Sequence, residues 1–365
     1  MNAFTWVEVT TAEQAVAQLS AARGGSALLK AGGIDVLDRL KEGLDAPERL
    51  IVLRRPTAGS KSTLSEISEI PASRLPDSIT RLLPAGNAGD APQPRDCLRI
   101  GALVTLAQIA SHPTILRALP ALAQAAHAIA TPQIRAVATI AGNLLQRPRC
   151  WYFRSADFHC RKKGGDECFA LDGENEYHAI FDNRTCAAVH PSGAAVALLV
   201  LDAIVEIQTA SGTRQQRLSA FFVSASQQGG DVKRENRLEP GEVITHLYIP
   251  LPSPDERSLY LKSKQKQSFD WPLCEVAISV RRAPSGAGSL LQAARIVVGG
   301  VAPIPWRAKA AEAALLRLSK LDIESVRGIA QAASDGARPL AKNGYKVPLC
   351  QGVVAQAVMQ ILSNA

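Results

Sequence analysis

The sequence predicts an α+β protein, and three observations carry this prediction. Near the start, the order strand, glycine turn, helix and strand is typical of a parallel crossover unit. After about residue 240, apolar strands are followed by helices, which is typical of an α+β domain. With 365 residues, 47 % of them hydrophobic, the chain is long enough for two or three domains with their own cores.

The first 55 residues contain the predicted crossover unit. Thr10 or Thr11 caps a helix over residues 12–22, because a hydroxyl at this position accepts a bond from a free helical N–H group. The other elements predicted here are strands at 27–29 and 50–53, joined by a turn at 30–35 and a further helix.

Residues 56–96 contain six prolines and little periodic pattern, so they are predicted to form a surface insertion with one short helix. A strand at 98–104 follows, and Thr105 caps a helix that ends near residue 111. A second, alanine-rich helix is predicted at 120–130, and an apolar helix and strand at 194–207.

The polar stretch 224–239 is the best candidate for a linker. Beyond it, the predicted strands are 243–250, 275–281 and 294–298, and the predicted helices are 305–318, 323–333 and 353–363. We therefore divide the chain into residues 1–55, 56–230 and 241–365.

The charge balance excludes little by itself. Lys and Arg exceed Asp and Glu by 41 − 33 = 8, which does not predict nucleic-acid binding unless the charge is focused on one face. No run reaches the roughly 18 apolar residues of a membrane span. The first residues lack a basic start followed by an apolar run, so we expect no signal peptide.

Two glycine turns are candidates for phosphate binding. In the first glycine turn (residues 30–35), Gly32 and Gly33 lie between a strand and a helix, where backbone N–H groups attract anions. The second glycine turn (residues 139–143) contains Gly142 and Asn143. Taken alone, the first favours an ordinary tight turn and the second a bulge or turn before a strand, but two such turns in one chain suit a dinucleotide with two phosphates.

Four of the seven cysteines lie close together in the sequence. They are Cys150, Cys160, Cys168 and Cys186. Four thiolates hold either a zinc ion or an iron–sulfur cluster, and the absence of closely spaced cysteine pairs favours a cluster. Two disulfides or four unrelated thiols stay open. The remaining cysteines, Cys97, Cys274 and Cys350, are predicted to be buried thiols.

Basic residues surround these cysteines in the sequence. They either offset the negative charge of a cluster or form a solvated face of the loop. The six are Arg147, Arg149, Arg154, Arg161, Lys162 and Lys163.

Several short motifs together resemble one family. The first glycine turn, Lys30-Ala31-Gly32-Gly33-Ile34-Asp35, resembles an AGGTD turn, and Thr139-Ile140-Ala141-Gly142-Asn143 resembles a TIGGN turn. Matches continue at residues 238–242, 260–262, 268–270, 299–308 and 343–347. Both turns belong to the FAD-binding subunits of molybdenum hydroxylases, the group of xanthine dehydrogenase, aldehyde oxidoreductase and carbon monoxide dehydrogenase.

The resemblance implies a fold. It consists of a two-subdomain FAD-binding domain of the PCMH/vanillyl-alcohol-oxidase type, followed by a C-terminal α/β domain of the CO dehydrogenase flavoprotein type. A subgroup of the family carries a 4Fe–4S cluster on a loop after the second flavin turn, and the cysteine segment resembles its aldehyde oxidoreductase members. The cysteine loop (residues 147–190) would then hold that cluster through its four cysteines.

The resemblance also implies the FAD-binding residues. Backbone N–H groups of the first turn would hold the pyrophosphate, the second turn would complete this binding, Ser192 would lie near the sugar-alcohol chain, and Lys262 would approach from the C-terminal domain. The implied set is Lys30, Ala31, Gly32, Gly33, Ile34, Asp35, Thr139, Ala141, Gly142, Asn143, Ser192 and Lys262. Two positions depart from the family: Ile34 replaces a threonine, and Gly193 replaces an aspartate that would bond to the flavin.

The implied function is that of an FAD and 4Fe–4S subunit without an acid–base catalyst of its own. It would receive electrons from a large molybdenum-cofactor subunit and a small 2Fe–2S subunit, and pass them to an external acceptor. Alternatives are a zinc-stapled scaffold subunit without activity and a stand-alone flavin oxidase. The expected location is the cytoplasm, or the periplasm by co-export with a partner.

Overall fold

The computed structural model describes residues 2–22, 26–55, 62–85, 93–284 and 289–363. Within these residues, the strands form three sheets. A parallel three-stranded sheet comes first, an antiparallel five-stranded sheet second, and an antiparallel four-stranded sheet last. The predicted α+β class is therefore confirmed.

The first sheet has the order β1-β3-β2, and all its pairs are parallel. Side chains of β3 alternate between its two faces: Ile51 packs with α1, whereas Leu50 packs with α2. Thr11, one of the two predicted caps, caps α1, and it forms a capping box with Gln14. Strand β1 was not predicted from the sequence. The elements are β1 (Thr5–Val9), α1 (Ala12–Ala21), β2 (Ala27–Lys30), α2 (Ile34–Lys41) and β3 (Arg49–Leu53).

The proline-rich segment takes part in the core, which corrects its prediction as a surface insertion. Its strand β4 (Ile67–Ile70) pairs with β5 (Cys97–Gly101), and its helix α3 (Asp77–Thr80) buries Ile79. Leu83 is buried beside this helix and packs in the same cluster. Residues 56–61 and 86–92 of the predicted insertion lie outside the described residues.

The second sheet has the order β4-β5-β8-β6-β7. The division at residue 241 would assign β8 to the C-terminal domain, but β8 pairs with β5 and β6 and so belongs to this sheet. The predicted strand 243–250 is confirmed, and all its residues are buried. Its neighbours in the sheet could not be predicted, because a continuous apolar run shows only that a strand is buried on both faces. The remaining strands are β6 (Ile204–Thr209), β7 (Gly212–Arg217) and β8 (Val243–Pro250).

Helices cover the second sheet and form the largest apolar core. Thr105 caps α4 through a capping box with Gln108, as predicted. The apolar helix α10 is almost fully buried between this core and the third sheet. The helices are α4 (Leu106–Ser111), α5 (Pro113–Ala118), α6 (Pro120–Ala128), α7 (Pro132–Val137), α8 (Ile140–Leu144), α9 (Trp151–Arg154) and α10 (Gly193–Val200).

The third sheet has the order β12-β11-β10-β9 and carries three helices on one face. Val276 and Ile278 of β10 pack toward these helices, whereas Ala277 joins the core of the preceding domain. The elements are β9 (Glu256–Ser263), β10 (Cys274–Arg282), β11 (Leu291–Gly299), β12 (Trp306–Arg307), α11 (Lys309–Leu316), α12 (Ile323–Ala332) and α13 (Lys346–Ser363). Among the helices described, none combines the length and hydrophobicity needed to span a membrane.

Candidate functional site

A cleft of about 1240 Å³ lies where the first sheet meets the helices of the second domain. Its size exceeds that of most small-molecule pockets, which are about 300–1,000 Å³, and suits a dinucleotide. Both glycine turns line it, although more than 100 residues separate them in the chain. The predicted residues that line the cleft are Ala31, Gly32, Gly33, Ile34, Asp35, Thr139, Ala141, Gly142 and Asn143.

The first glycine turn brings a helix N-terminus to this cleft. Gly33 caps α2 with a φ of +85°, a conformation that favours glycine. The first N–H groups of a helix have no partner within the helix, and the helix dipole makes this end attractive to anions. Because Gly33 and Ile34 both line the cleft, this end of α2 can bind a phosphate group. The missing hydroxyl at Ile34 does not affect the backbone groups.

Gly32 is required by packing as well. A Cβ atom at this position would lie 2.2 Å from the carbonyl oxygen of Val137, at the end of α7. No side chain fits there without moving backbone, so the absence of a side chain allows the first turn to approach α7.

We expect Gly32→Ala to lower the free energy of unfolding by about 1–3 kcal/mol, because the added methyl group overpacks a site bounded by backbone. The bound FAD content should fall with it. Denaturant unfolding and flavin content after desalting measure the two effects. Gly328→Ala in α12 is the matched control, since a Cβ there meets nothing within 4 Å and alanine favours a helix. Equal effects of the two variants would contradict the packing role of Gly32.

The second glycine turn forms a short helix rather than a bulge before a strand. Thr139 caps α8 and accepts a hydrogen bond from the N–H of Gly142 at 3.1 Å. Behind it, the Ser192 hydroxyl donates to Oδ1 of Asn143 at 2.7 Å and accepts from the N–H of Ala195 at 3.1 Å. Ser192 therefore orients Asn143 and caps α10 from a buried position, and it does not line the cleft.

Two predicted lysines also lie outside the cleft lining. The ammonium group of Lys30 lies 5.6 Å from the centre of the Trp6 ring and donates to the carbonyl oxygen of Ala31. The ammonium group of Lys262 donates to the carbonyl oxygen of Ala128 at 3.0 Å, next to the cleft residue Ile129. Burial lowers the pKa of Lys262, and the charge of Glu275 opposes this effect.

The groups packed against residue 193 explain why a glycine stands there, where the family resemblance implies an aspartate. Tyr260 donates a short hydrogen bond to Oε2 of Glu275, and both groups are buried. A Cβ atom at Gly193 would lie 3.1 Å from Oε2 of Glu275 and 3.1 Å from the Tyr260 hydroxyl. A carboxylate from the C-terminal domain therefore occupies the space beside residue 193. Burial raises the pKa of Glu275 despite the bond from Tyr260 and the charge of Lys262.

The four clustered cysteines line one small cavity. Cys160 is buried and the other three are partly buried. Among the residues that the structure describes, no three His, Cys, Asp or Glu side chains are arranged as ligands of a single metal ion. No disulfide joins the cysteines, all of which are free thiols.

Neighbouring thiols and backbone N–H groups shift the pKa values of three of these cysteines. The Cys186 thiol donates to Cys168, which lowers the pKa of Cys168 to about 6 and raises that of Cys186. Backbone N–H groups of Ala170 and Ala187 also donate to Cys168. Burial raises the pKa of Cys150 to about 11, although N–H groups of Phe153 and Tyr152 oppose this. Hydrogen bonds from N–H groups to sulfur atoms also help to set the reduction potential of iron–sulfur clusters.

A histidine also contacts this group. Nε2 of His178 lies 3.2 Å from Sγ of Cys150. Burial, helped by the positive charge of Lys346, lowers the pKa of His178 to about 4, so the ring is neutral near pH 7. By residue type, His178 is a further possible ligand of this group, although the sequence favours an ordinary loop residue at a position 28 residues from Cys150.

Four of the six basic residues of the loop fall into two groups. Arg161 and Lys162 line the cysteine cavity. Arg149 and Arg154 instead form ion pairs with Asp35 and Asp38 of α2. Of the two alternatives, a solvated face does not describe Arg149 and Arg154, which are largely buried in these ion pairs. The offset of a cluster's charge stays a prediction.

The cysteine loop is also tied to the polar stretch and to the C-terminal helix. Glu235 is buried and accepts from Lys162 at 2.9 Å and from Arg147 at 3.0 Å. The fully buried Lys346, at the start of α13, donates to the carbonyl oxygens of Tyr177 at 2.8 Å and Gly300 at 2.7 Å.

Known families and relatives account for this arrangement. The family of FAD binding domains in molybdopterin dehydrogenases matches residues 92–252, and the C-terminal domain of CO dehydrogenase flavoproteins matches residues 258–361. The aldehyde oxidoreductase FAD-binding subunit PaoB of Escherichia coli K12 is 33 % identical over 368 residues, which is 100 % of each chain. The chain belongs to the FAD-binding subunits of the molybdopterin dehydrogenases. The predicted family and two-part fold are thereby confirmed.

More distant relatives agree. The nicotinate dehydrogenase FAD-subunit of Eubacterium barkeri is 30 % identical over 172 residues, covering 47 % of this chain and 43 % of that one. A carbon monoxide dehydrogenase structure from Hydrogenophaga pseudoflava has a TM-score of 0.69 at 23 % identity, covering 99 % of this chain and 98 % of that one. This likeness concerns the fold. As a member of the family, the chain is an FAD-binding subunit of an oxidoreductase.

Proposed function

We propose that this flavoprotein subunit transfers electrons within a heteromeric molybdenum hydroxylase of the aldehyde oxidoreductase or xanthine dehydrogenase type. Its partners would be a large molybdenum-cofactor subunit and a small 2Fe–2S subunit, and it would deliver electrons to an external acceptor. The observation that carries the proposal is the joint lining of one cleft by both glycine turns. The full-length similarity to an aldehyde oxidoreductase subunit supports the type of complex.

The chain's own residues bind and orient FAD, which supplies the redox chemistry when bound. Backbone N–H groups at the start of α2 would face the pyrophosphate, and Gly142 would leave room for it at the second turn. Lys262 and Ser192 would act from behind the cleft wall, through Ala128 and Asn143. Electron transfer to and from a flavin needs no acid–base catalyst, so we assign no such role to the cleft side chains that the structure describes.

We further propose that Cys150, Cys160, Cys168 and Cys186 hold a 4Fe–4S cluster. All four line one cavity, and backbone N–H groups face the sulfur atoms of Cys150 and Cys168. Arg161 and Lys162 at the same cavity would offset the negative charge of the bound cluster. Metal binding would deprotonate the thiols, including Cys150 with its raised pKa.

Cofactor analysis of the purified complex tests both proposals. We expect one FAD and four iron atoms in this subunit, with flavin reduced by an aldehyde or purine substrate only when the partner subunits are present. Zinc without iron or flavin would instead support the zinc-stapled scaffold. Substrate turnover by the isolated subunit would support a stand-alone flavin oxidase. Fractionation would then separate a cytoplasmic location from co-export to the periplasm, the two locations we propose.

A further inference from the structure

Asp35 belongs to the first glycine turn, and both oxygens of its carboxylate already have hydrogen-bond partners in the protein. One carboxylate oxygen, Oδ1, accepts from Arg149 at 2.8 Å and from Arg154 at 2.7 Å. The other, Oδ2, accepts from the backbone N–H of Arg147 at 3.1 Å. Both oxygens are therefore engaged by residues of the cysteine loop.

These ion pairs are shielded from water. The Asp35 side chain is 12 % exposed and that of Arg154 is 9 % exposed. Burial alone would raise the pKa of Asp35, but the charge of Arg149 and the hydrogen bond from Arg154 lower it below its ordinary value. The carboxylate is thus ionised near neutral pH, and loss of its charge would leave the buried Arg154 with only its longer ion pairs to Asp38 and Glu42, at 3.4 Å each.

The donors lie directly around the first cysteine ligand. Arg149 precedes Cys150, and Cys150 is the N-cap of α9, which ends at Arg154. Arg154 also donates to the carbonyl oxygens of Pro148 and Arg147, so the segment before Cys150 is held in one conformation. On the other side, Asp35 lies in the first turn of α2, two residues after Gly33.

We infer that Asp35 is a positioning residue that couples the flavin cleft to the cysteine loop. Its backbone takes part in the turn that lines the cleft, while its side chain fixes the segment that presents Cys150. Ordering of the turn by FAD therefore stabilises the loop, and ordering of the loop increases FAD affinity by the same factor. The effect on the cluster rests on the proposed function, whereas the coupling between turn and loop does not.

Hydrogen exchange of the full chain tests the coupling without a cluster. We expect added FAD to slow exchange in residues 150–160 of the wild type and to leave them unchanged in Asp35→Asn. The matched control is Asp38→Asn, because Asp38 contacts the same two arginines at 2.9 and 3.4 Å but is 45 % exposed. Protection of the loop in Asp35→Asn equal to that in wild type would overturn the inference, as would FAD binding without loop protection in wild type.

A double-variant cycle tests the cluster side. Cys160→Ser should weaken FAD affinity about fivefold or more in the wild-type background, which is the size of typical coupling, and should have no further effect in Asp35→Asn. If Asp35→Asn does not fold, Arg149→Gln replaces it, since this variant removes one of the two arginine contacts of Asp35 from the loop side. Equal effects of Cys160→Ser in both backgrounds would overturn the coupling. A wild type without iron would overturn only the cluster proposal.

Discussion

Replacing Glu235 with alanine is expected to lower the free energy of unfolding by about 3–5 kcal/mol, because the variant leaves a buried ammonium group without its partner. Lys162 is 6 % exposed in its side chain and donates to Glu235 at 2.9 Å. Arg147 donates to the same oxygen at 3.0 Å. Glu235 lines the cleft and Lys162 lines the cysteine cavity, so loss of the pair should disturb both sites. Denaturant unfolding measures the stability, and flavin and iron content measure the sites.

Glu239→Ala is the matched control. Glu239 pairs with Arg234 at 3.0 Å, but its side chain is 58 % exposed, so its loss should cost only about 0–1 kcal/mol. The pH dependence provides a second check. Burial would raise the pKa of Glu235, but the charges of Lys162 and Arg147 lower it below its ordinary value. A carboxylate with a lowered pKa stabilises the fold above its unfolded pKa, and this contribution is lost as the pH falls through the folded value. The stability difference between wild type and Glu235→Ala should therefore shrink below about pH 4.5, and a constant difference would contradict the ion pair.

The variant Gly193→Asp, which restores the aspartate implied by the family resemblance, is expected to lower the free energy of unfolding. Gly193→Asp would place a second carboxylate beside the buried Glu275, where even a Cβ atom is within 3.1 Å of Oε2 and of the Tyr260 hydroxyl. Overpacking and an unpaired buried charge together should cost about 3 kcal/mol or more. We expect lower stability, and no gain in FAD affinity, in denaturant unfolding and flavin titration.

Removing the competing carboxylate should reverse part of this loss. In the double variant with Glu275→Ala, the Tyr260 hydroxyl can donate to the new aspartate, so the two substitutions should be coupled by about 1 kcal/mol or more. Gly193→Ala is the matched control and should have an intermediate effect, because it adds volume without charge. Additive effects of Gly193→Asp and Glu275→Ala would show that Glu275 does not occupy the place of the family's side chain.

Features that depend on local sequence were predicted well. Thr11 and Thr105 each precede an apolar helical pattern by one residue and have a glutamine three residues later, which is enough to form a capping box. The first glycine turn could be located in the same way, because the left-handed conformation of Gly33 between a strand and a helix is a local requirement.

Features that depend on contacts between distant residues were not predicted. The pairing of β8 with β5 and β6, and the burial of Ile79 in the proline-rich segment, follow from the tertiary arrangement. The same holds for Glu275, which the sequence alone presents as one acidic residue in an apolar strand. The sequence signal for its position was Gly193, because a glycine in place of a larger residue indicates that another group occupies the space.

The hydrogen bond from Lys346 to the Tyr177 carbonyl affects when, during synthesis of the chain, the cysteine loop can reach its final structure. The loop ends at residue 190, but its backbone near His178 is held by Lys346 and by the side-chain amide of Asn343, which donates to the His178 carbonyl at 3.1 Å. A ribosome must therefore finish nearly the whole chain before these contacts can form. Binding of the proposed cluster by the four cysteines is accordingly expected as a late, post-translational event rather than one that accompanies synthesis of the loop.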